Sequence, residues 1–362
     1  MAQKIRKVFV GMSGGVDSSV SAALLQREGY EVVGVFIKVW QADFLPCTWR
    51  EERRDAMRAA AHLGIPLLTL DLEKEYKEGV VDYMIREYGE GRVPNPDVMC
   101  NKHVKFGAFL DFAKKNGADA VATGHYARVE QDDVGMFRLY KGVDQEKDQS
   151  YFLWTLDQEQ LAHVLFPIGH LEKSEVRRRA REFGLLNAQK KDSQGLCFMG
   201  TIDMKDFLKH YLHAASGAVL DTNGEIIGTH EGAMLYTIGQ RHGFFTTKQS
   251  AHESPLFVVE KDIQKNTITV AAEMNVDSTP NHRGIILLKD HNWIPVSPDV
   301  GTQVACVARI RYRGALQPAV VQRVSIDRVS VTLSVNDEFI AAGQSMVFYE
   351  EDRCLGGGVI ER

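Results

Sequence analysis

Nothing in this 362-residue sequence marks it for a membrane or for export. No apolar run reaches the roughly 20 residues that a membrane helix requires. The start, Met1-Ala2-Gln3-Lys4-Ile5-Arg6-Lys7, leads directly into a strand-like stretch and lacks the apolar segment of a secretory signal. The expectation is a cytoplasmic protein with no membrane partner. Cysteine is sparse: Cys47, Cys100, Cys197, Cys306 and Cys354 are odd in number and irregularly spaced, which is no secreted disulfide framework. No Cys-x-x-Cys pair occurs, so no structural metal site is assigned. Positive charge is also short. A net charge of −5 argues against a generic nucleic-acid coat, although basic residues gathered locally still allow a specific RNA site. There is no internal repeat and no low-complexity segment.

What is present is ordinary globular material. Hydrophobic residues at 44% and charged residues at 25% support a sizeable core, and the length suits two or three domains. Residues 5–12 read as a buried strand, 18–28 as a helix stopped by Gly29, 32–40 as a strand and 49–63 as a helix. A strand at 66–72, helices near 73–88 and 103–116, and a strand at 118–124 continue the alternation. This predicts an α/β domain, a parallel sheet with helices on both faces. A hairpin over 127–141 turns at Asp132-Asp133-Val134-Gly135, and helices near 157–164 and 172–183 follow. The segment 188–202 reads as loop. Beyond about 217 the chain is short strands and turns. Strand patterns at 303–311, 318–325 and 328–335 predict a small C-terminal β-barrel. The expected division is 1–202, a central domain at 203–282, and 283–362.

The most informative string is Ser13-Gly14-Gly15-Val16-Asp17-Ser18-Ser19, set between the first strand and the first helix. Small residues let backbone N–H groups turn toward phosphate oxygens, and the helix start adds its positive dipole end. Ser13, Ser18 and Ser19 offer hydroxyls. No Gly-Lys-Ser/Thr follows, so this is not a Walker A loop, and γ-phosphate chemistry is not expected. The string resembles the PP-loop of the ATP pyrophosphatase superfamily, in which ATP transfers AMP to a substrate oxygen and pyrophosphate leaves. That resemblance implies ATP as cosubstrate, with Asp17 near the pyrophosphate end and its Mg2+.

An adenylate activates an oxygen that a nucleophile must then displace. Cys100 follows two prolines in Arg92-Val93-Pro94-Asn95-Pro96-Asp97-Val98-Met99-Cys100 and precedes a predicted helix. The helix start and Lys102 are expected to lower its thiol pKa. Cys197 sits in the loop Asp192-Ser193-Gln194-Gly195-Leu196-Cys197-Phe198 and is a candidate for carrying sulfur as a persulfide. Cys306 and Cys354 read as packing residues, and Cys47 as loop surface.

Five further strings carry a closer resemblance: Asn95 to Asn101, Ala122 to Ala127, Asp148 to Leu153, Ser193 to Phe198 and Tyr236 to Arg241. Together with the loop they resemble, in the same order, the tRNA-specific 2-thiouridylase family. The resemblance spans most of the chain and is looser in its last third. It implies that ATP adenylates the C2 oxygen of the wobble uridine in tRNAs for Lys, Glu and Gln. Cys197 would hold a persulfide delivered by a sulfur-relay protein or cysteine desulfurase. Cys100 would be the partner nucleophile, able to form a disulfide with Cys197. Asp97 would touch the target base and serve as acid or base. The family's ATP contacts map to Gly11, Met12, Ser13, Gly14, Gly15, Val16, Asp17, Ser18, Ile37 and Gly124. Its tRNA contacts map to Asn95, Pro96, Asp97, Lys147, Asp148, Gln149, Arg311 and Tyr312.

Two basic runs bear on RNA. Arg177-Arg178-Arg179-Ala180-Arg181 reads either as a solvated helix face or as a binding surface. Arg309-Ile310-Arg311-Tyr312-Arg313 reads as a strand with three arginines on one face, where Tyr312 stacks on a base only if the strand end opens. His125 is open between a place near ATP and a structural role. The four tryptophans read as packing residues. Another PP-loop ligase or synthetase, adenylating a small substrate and needing no cysteine pair, is the alternative. A non-catalytic RNA-binding protein on a relic nucleotide fold is the third reading.

Overall fold

The first strand explains how the N-terminal α/β layer closes on both sides. In the computed structural model, which describes residues 6–191, 197, 203–247, 255–272, 285–334 and 340–361, β1 (Lys7–Gly11) alternates its side chains between two cores. Val8 and Val10 pack with Ala22 and Leu25 of α1 (Val16–Arg27) and with Ala56, Ala59 and Ala60 of α2 (Trp49–Leu63). Phe9 faces the opposite way, toward Val104, Phe106 and Phe109. This is the period-2 rule of a strand buried on both faces.

β2 (Glu31–Lys38) and β3 (Leu67–Asp71) lie parallel to one side of β1, while β4 (Ala120–Ala122) and β7 (Val164–Leu165) lie on the other. The order β3-β2-β1-β4-β7 puts the Ser13–Ser19 loop at the carboxyl end of the middle strand, where open α/β sheets bind ligands. The helices differ from expectation in one respect. The single helix read over 73–88 is α3 (Glu73–Tyr76), a π-helical turn (Lys77–Asp82) and α4 (Tyr83–Gly89). Likewise α5 (Pro96–Met99), a second π-helical stretch (Cys100–Ala108) and α6 (Phe109–Lys115) form one continuous run. The two widened stretches press together; a Cβ added at Gly79 would come 3.0 Å from the Cβ of His103.

The expected hairpin is β5 (Ala127–Gln131) and β6 (Phe137–Lys141), and α7 (Gln158–Leu161) and α8 (Lys173–Glu182) follow. After α9 (Met204–Lys209), a second sheet of β8 (Gly217–Leu220), β9 (Ile226–His230), β10 (Phe244–Thr246), β11 (Phe257–Asp262) and β12 (Thr267–Ala271) runs in the order β10-β9-β8-β12-β11.

The last six strands close on themselves. They are β13 (Ile286–Trp293), β14 (Gln303–Arg309), β15 (Leu316–Arg323), β16 (Val329–Leu333), β17 (Ser345–Glu350) and β18 (Arg353–Ile360). They pair in the order β13-β16-β15-β14-β17-β18, and β18 returns to β13, so the barrel has no free edge there. The 127–141 hairpin belongs to this sheet as well, since β6 pairs with β18 at Cys354↔Leu139. Sequence periodicity has no means of showing a pairing between strands so far apart. Among the described residues no helix is long and apolar enough to cross a membrane.

Candidate active site

The loop after β1 is built as an anion cradle. Gly14 has φ +76°, and a Cβ there would lie 2.5 Å from the carbonyl oxygen of Glu52 on α2, so only glycine fits. Gly15 caps α1 without any side-chain hydrogen bond, leaving the helix start open to an anion. The serines divide their work. Ser18 and Ser19 donate to the Gly15 carbonyl at 3.2 and 3.0 Å and brace the turn from inside, while Ser13 is exposed. Of the other residues matched to ATP contacts, Met12, Val16 and Ile37 are buried in the cores and Gly11 ends β1. Gly124, after β4, touches the loop's helix directly: a Cβ there would lie 2.8 Å from the Ser18 nitrogen.

The lysine that the loop's own sequence lacks is supplied from elsewhere. Lys173, the first residue of α8, contacts both oxygens of Asp17 at 2.8 Å, and Tyr126 donates to Asp17 at 2.9 Å. Lys190 pairs with Asp55 at 2.7 Å and reaches the Gly14 carbonyl at 3.4 Å, where Asn187 also donates at 3.1 Å. Both lysines were missed in the sequence because they lie more than 150 positions from their loop contacts. The glycine cradle, open helix start and two ammonium groups suit a polyphosphate. Asp17 supplies one carboxylate near it, and no group of three or more metal-ligating side chains occurs among the described residues. One carboxylate with phosphate oxygens is a common magnesium arrangement.

A sulfur pair lies close by, Cys100 buried and Cys197 half-buried. Cys100 Sγ donates to Cys197 Sγ at 3.6 Å, across 97 residues of sequence. Cys197 is held at its backbone too. Its N–H donates to Asp97 Oδ1 at 3.1 Å, and its carbonyl accepts from the Tyr76 hydroxyl at 2.8 Å. The rest of the Asp192–Phe198 string lies outside the described residues. Lys105 hydrogen-bonds the Cys197 sulfur and contacts His125 Nε2 at 3.3 Å. The contacts thus run from the loop through Gly124, His125 and Lys105 to the thiols.

Here the sequence expectation is corrected. Cys100 is not the activated thiol: it is fully buried, and burial together with its bond to Cys197 pushes its pKa well up. Lys102 is exposed. The lowering falls on Cys197, through the hydrogen bond from Cys100 and the charge of Lys105, which together outweigh its desolvation. Burial raises the Asp97 carboxyl, opposed by Lys105 and the Cys197 N–H. Burial, aided by Lys105, drives His125 well below its ordinary value, so it is neutral. Of the remaining cysteines, Cys354 is buried in β18, Cys306 is half-buried in β14 and Cys47 is exposed.

The residues matched to tRNA contacts divide into two groups. Pro96 starts α5 and Asp97 lies beside the sulfur pair, while buried Asn95 hydrogen-bonds Tyr151. Gln344 of the barrel fixes this loop through the carbonyls of Val93 and Pro94 at 2.8 and 3.3 Å. Gln149 Oε1 accepts from the Tyr126 N–H at 3.1 Å, which steadies the ring that contacts Asp17, and Lys147 lies on the same turn. Asp148 is buried and internally committed: it accepts from Gly142 and Ser150 and pairs with Arg309 at 2.9 Å. This also corrects the strand expected over 309–313. β14 ends at Arg309, which is buried by that pair, and Arg311, Tyr312 and Arg313 lie in a turn. The Tyr312 ring packs on Phe152 at 4.4 Å.

The remaining strings make contacts within the fold. In the Arg177–Arg181 run, Arg178 and Arg179 pair with Glu175, and Arg177 donates to the carbonyls of Ala188 and Lys190. The Tyr236–Arg241 string forms a turn tied to β11 by Gly239 N–H to the Val258 carbonyl at 2.7 Å.

Comparison with known proteins adds the following. Family profiles match along the chain: "tRNA methyl transferase HUP domain" over residues 6–201, "tRNA methyl transferase PRC-barrel domain" over 205–272 and "Aminomethyltransferase beta-barrel domain" over 283–360. A curated relative from Staphylococcus epidermidis, named tRNA-specific 2-thiouridylase MnmA, is 44% identical over 100% of this chain and 96% of its own. The Geobacillus thermodenitrificans protein of the same name is 45% identical over 98% of this chain and 94% of its own. The solved structure of the U34-tRNA thiolase NcsA from Methanococcus maripaludis covers 58% of this chain and 65% of its own, at 14% identity and a TM-score of 0.36, a likeness too weak to bear on the site.

Proposed function

The chain belongs to the tRNA-specific 2-thiouridylase family, and from that premise we propose that it adenylates the C2 oxygen of a tRNA wobble uridine and replaces that oxygen with sulfur carried on Cys197. It is a tRNA-uridine 2-sulfurtransferase. The observation that carries the mechanism is the thiol pair at 3.6 Å, joined by a short run of contacts to a polyphosphate cradle. The profile descriptions speak of methyl transfer and the relatives' names of thiolation. A methyl transfer calls on neither an adenylating loop nor a second thiol, so the side chains favour sulfur.

ATP fits with its phosphates on the Gly11–Ser18 turn, where the α1 dipole, Lys173 and Lys190 offset the charge of departing pyrophosphate. Mg2+, when bound, would neutralise phosphate charge; Asp17 is the side chain suited to hold it. The uridine C2 oxygen attacks the α-phosphorus, the bond to pyrophosphate breaks, and a uridine–AMP ester results. Cys197 receives the outer sulfur of a donor persulfide from a sulfur-relay protein or cysteine desulfurase, whose own thiol leaves. Cys100 then attacks the Cys197 sulfur and gives up its proton. We assign that proton to Asp97, whose raised pKa makes it a better base than an ordinary carboxylate. The S–S bond breaks, the outer sulfur leaves with the electron pair and displaces AMP at C2, and a Cys100–Cys197 disulfide remains for a thiol reductant to reopen. The tRNAs for Lys, Glu and Gln are the substrates this reading assigns.

The test is thiolation of unmodified tRNA by purified protein with ATP and a persulfide donor. Cys197→Ser is expected to release AMP and pyrophosphate yet form no 2-thiouridine. Product at the normal rate from Cys197→Ser would sink the mechanism.

A further inference from the structure

The thiolation reading leaves one charged residue beside the sulfurs without a role. Lys105 lies five positions after Cys100 on the same helical run. In an α-helix such residues diverge around the axis, because five steps of about 100° overshoot one turn. The stretch Cys100–Ala108 is π-helical, with its hydrogen bonds closing five residues apart, so Lys105 comes round to the face of Cys100. Gly107 permits the widening: a Cβ there would lie 2.9 Å from the Lys102 carbonyl oxygen.

The surroundings of the ammonium group fix its charge state. It hydrogen-bonds Cys197 and faces Cys100 and Asp97. On the other side is His125 Nε2 at 3.3 Å. A lysine ammonium only donates, so Nε2 must accept, and the imidazole proton sits on Nδ1, which donates to Thr123 Oγ1 at 2.6 Å. His125 is therefore a neutral acceptor that aims the lysine without competing for its charge. Burial by itself would lower the Lys105 pKa, but the two sulfurs and Asp97 outweigh it and the group stays cationic. Among the described residues, the other groups facing Cys197 are the Cys100 thiol, the Asp97 carboxylate and the Tyr76 hydroxyl, none of which brings positive charge.

We propose that Lys105 is the positioning residue that holds Cys197 as a thiolate, and afterwards as a persulfide anion, so that the incoming sulfur is accepted on Cys197 rather than on its neighbour Cys100. This rests on the sulfur-transfer reading of the site. Cys100 stays protonated beside the same lysine because it is fully buried and already donates its proton to Cys197. The asymmetry between two chemically identical side chains then comes from one cation and one hydrogen bond.

Iodoacetamide alkylation of Cys197, followed peptide by peptide by mass spectrometry from acid to alkaline pH, reads the thiolate directly and needs neither ATP nor tRNA. In the wild type the midpoint should lie below the ordinary thiol value of about 8.5. Lys105→Gln should raise it by about one pH unit, roughly a tenfold loss of thiolate below the midpoint. Lys105→Arg should restore most of the wild-type value. If Lys105→Gln does not fold, Lys105→Met takes its place, since an apolar side chain of similar length suits a half-buried position. An unmoved midpoint in a variant with wild-type melting overturns the proposal. Thiolation by Cys197→Ser would instead remove the reading beneath it and leave the alkylation result standing, so the two failures are distinguishable.

Discussion

At the residue scale, Asp97 carries two demands. In this structure its carboxylate accepts the Cys197 N–H, and it is also the residue matched to target-base contact. Burial raises its pKa above the unfolded value. A carboxyl raised in this way helps the fold only while protonated, and that help is lost as pH rises from the ordinary carboxylate range, about 4, through the folded pKa. Asp97→Asn keeps an acceptor for Cys197 and drops the charge. It should melt no lower than wild type at neutral pH, with its relative stability growing as pH rises from acid to neutral. Its thiolation rate should fall roughly a hundredfold or more if the carboxylate moves a proton. Thermal melts across pH, set beside single-turnover thiolation, check both parts. A variant that melts lower at neutral pH would show the charge to be net stabilising.

At the scale of elements, the π-helical run from Cys100 to Ala108 sets the chemistry by setting the rotation of its side chains. Gly107→Ala would push the segment against the Lys102 carbonyl and turn Lys105 relative to Cys100. The expected outcome is a fall in kcat of about tenfold to a hundredfold, the scale of a displacement near one ångström. The KM for ATP should hold, because the phosphate cradle stands on β1 and α1. Steady-state kinetics with ATP and tRNA varied separately makes the distinction. An equal loss in ATP affinity would mean that the helical run and the loop move as one piece. Hydrophobic periodicity marks a helix near 103–116, but the widening to a π-helix leaves no pattern in that periodicity. The only local trace is a glycine where a helix would favour alanine.

For the whole molecule, the barrel is locked onto the catalytic layer through the segment that also frames the site. Tyr151 donates to the Ser345 carbonyl at 2.8 Å, Gln344 holds Val93 and Pro94, and Asp148 pairs with Arg309 where both side chains are nearly inaccessible, at 1% and 11% exposure. Arg309→Met leaves the Asp148 carboxylate buried without its cation and should lower stability by about 3–5 kcal/mol. Adding Asp148→Asn should recover most of that loss. Urea denaturation of the single and double variants measures it. Additive losses would place the stabilisation elsewhere. The pair also accounts for the failure of the basic strand expected at 309–313: a charge that looks exposed in a sequence is, in the fold, neutralised by a residue 161 positions away.

The sequence by itself determined what depends on near neighbours. The cradle is legible because a strand, a glycine pair and a helix start are consecutive, and the alternating layer is legible because burial of both sheet faces imposes its period. It also picked out Cys100 and Cys197 from their loop contexts and the family resemblance, and Asp97 from the resemblance alone. Only the tertiary structure decided which groups meet. It put Lys173 and Lys190 at the loop, paired Arg309 with Asp148, joined the 127–141 hairpin to the barrel, and set Lys105 in place of Lys102 against the thiols. The physical reason is the same in each case: backbone pattern is set by short-range preference, whereas the partner of a buried charge is set by whichever element packs across from it.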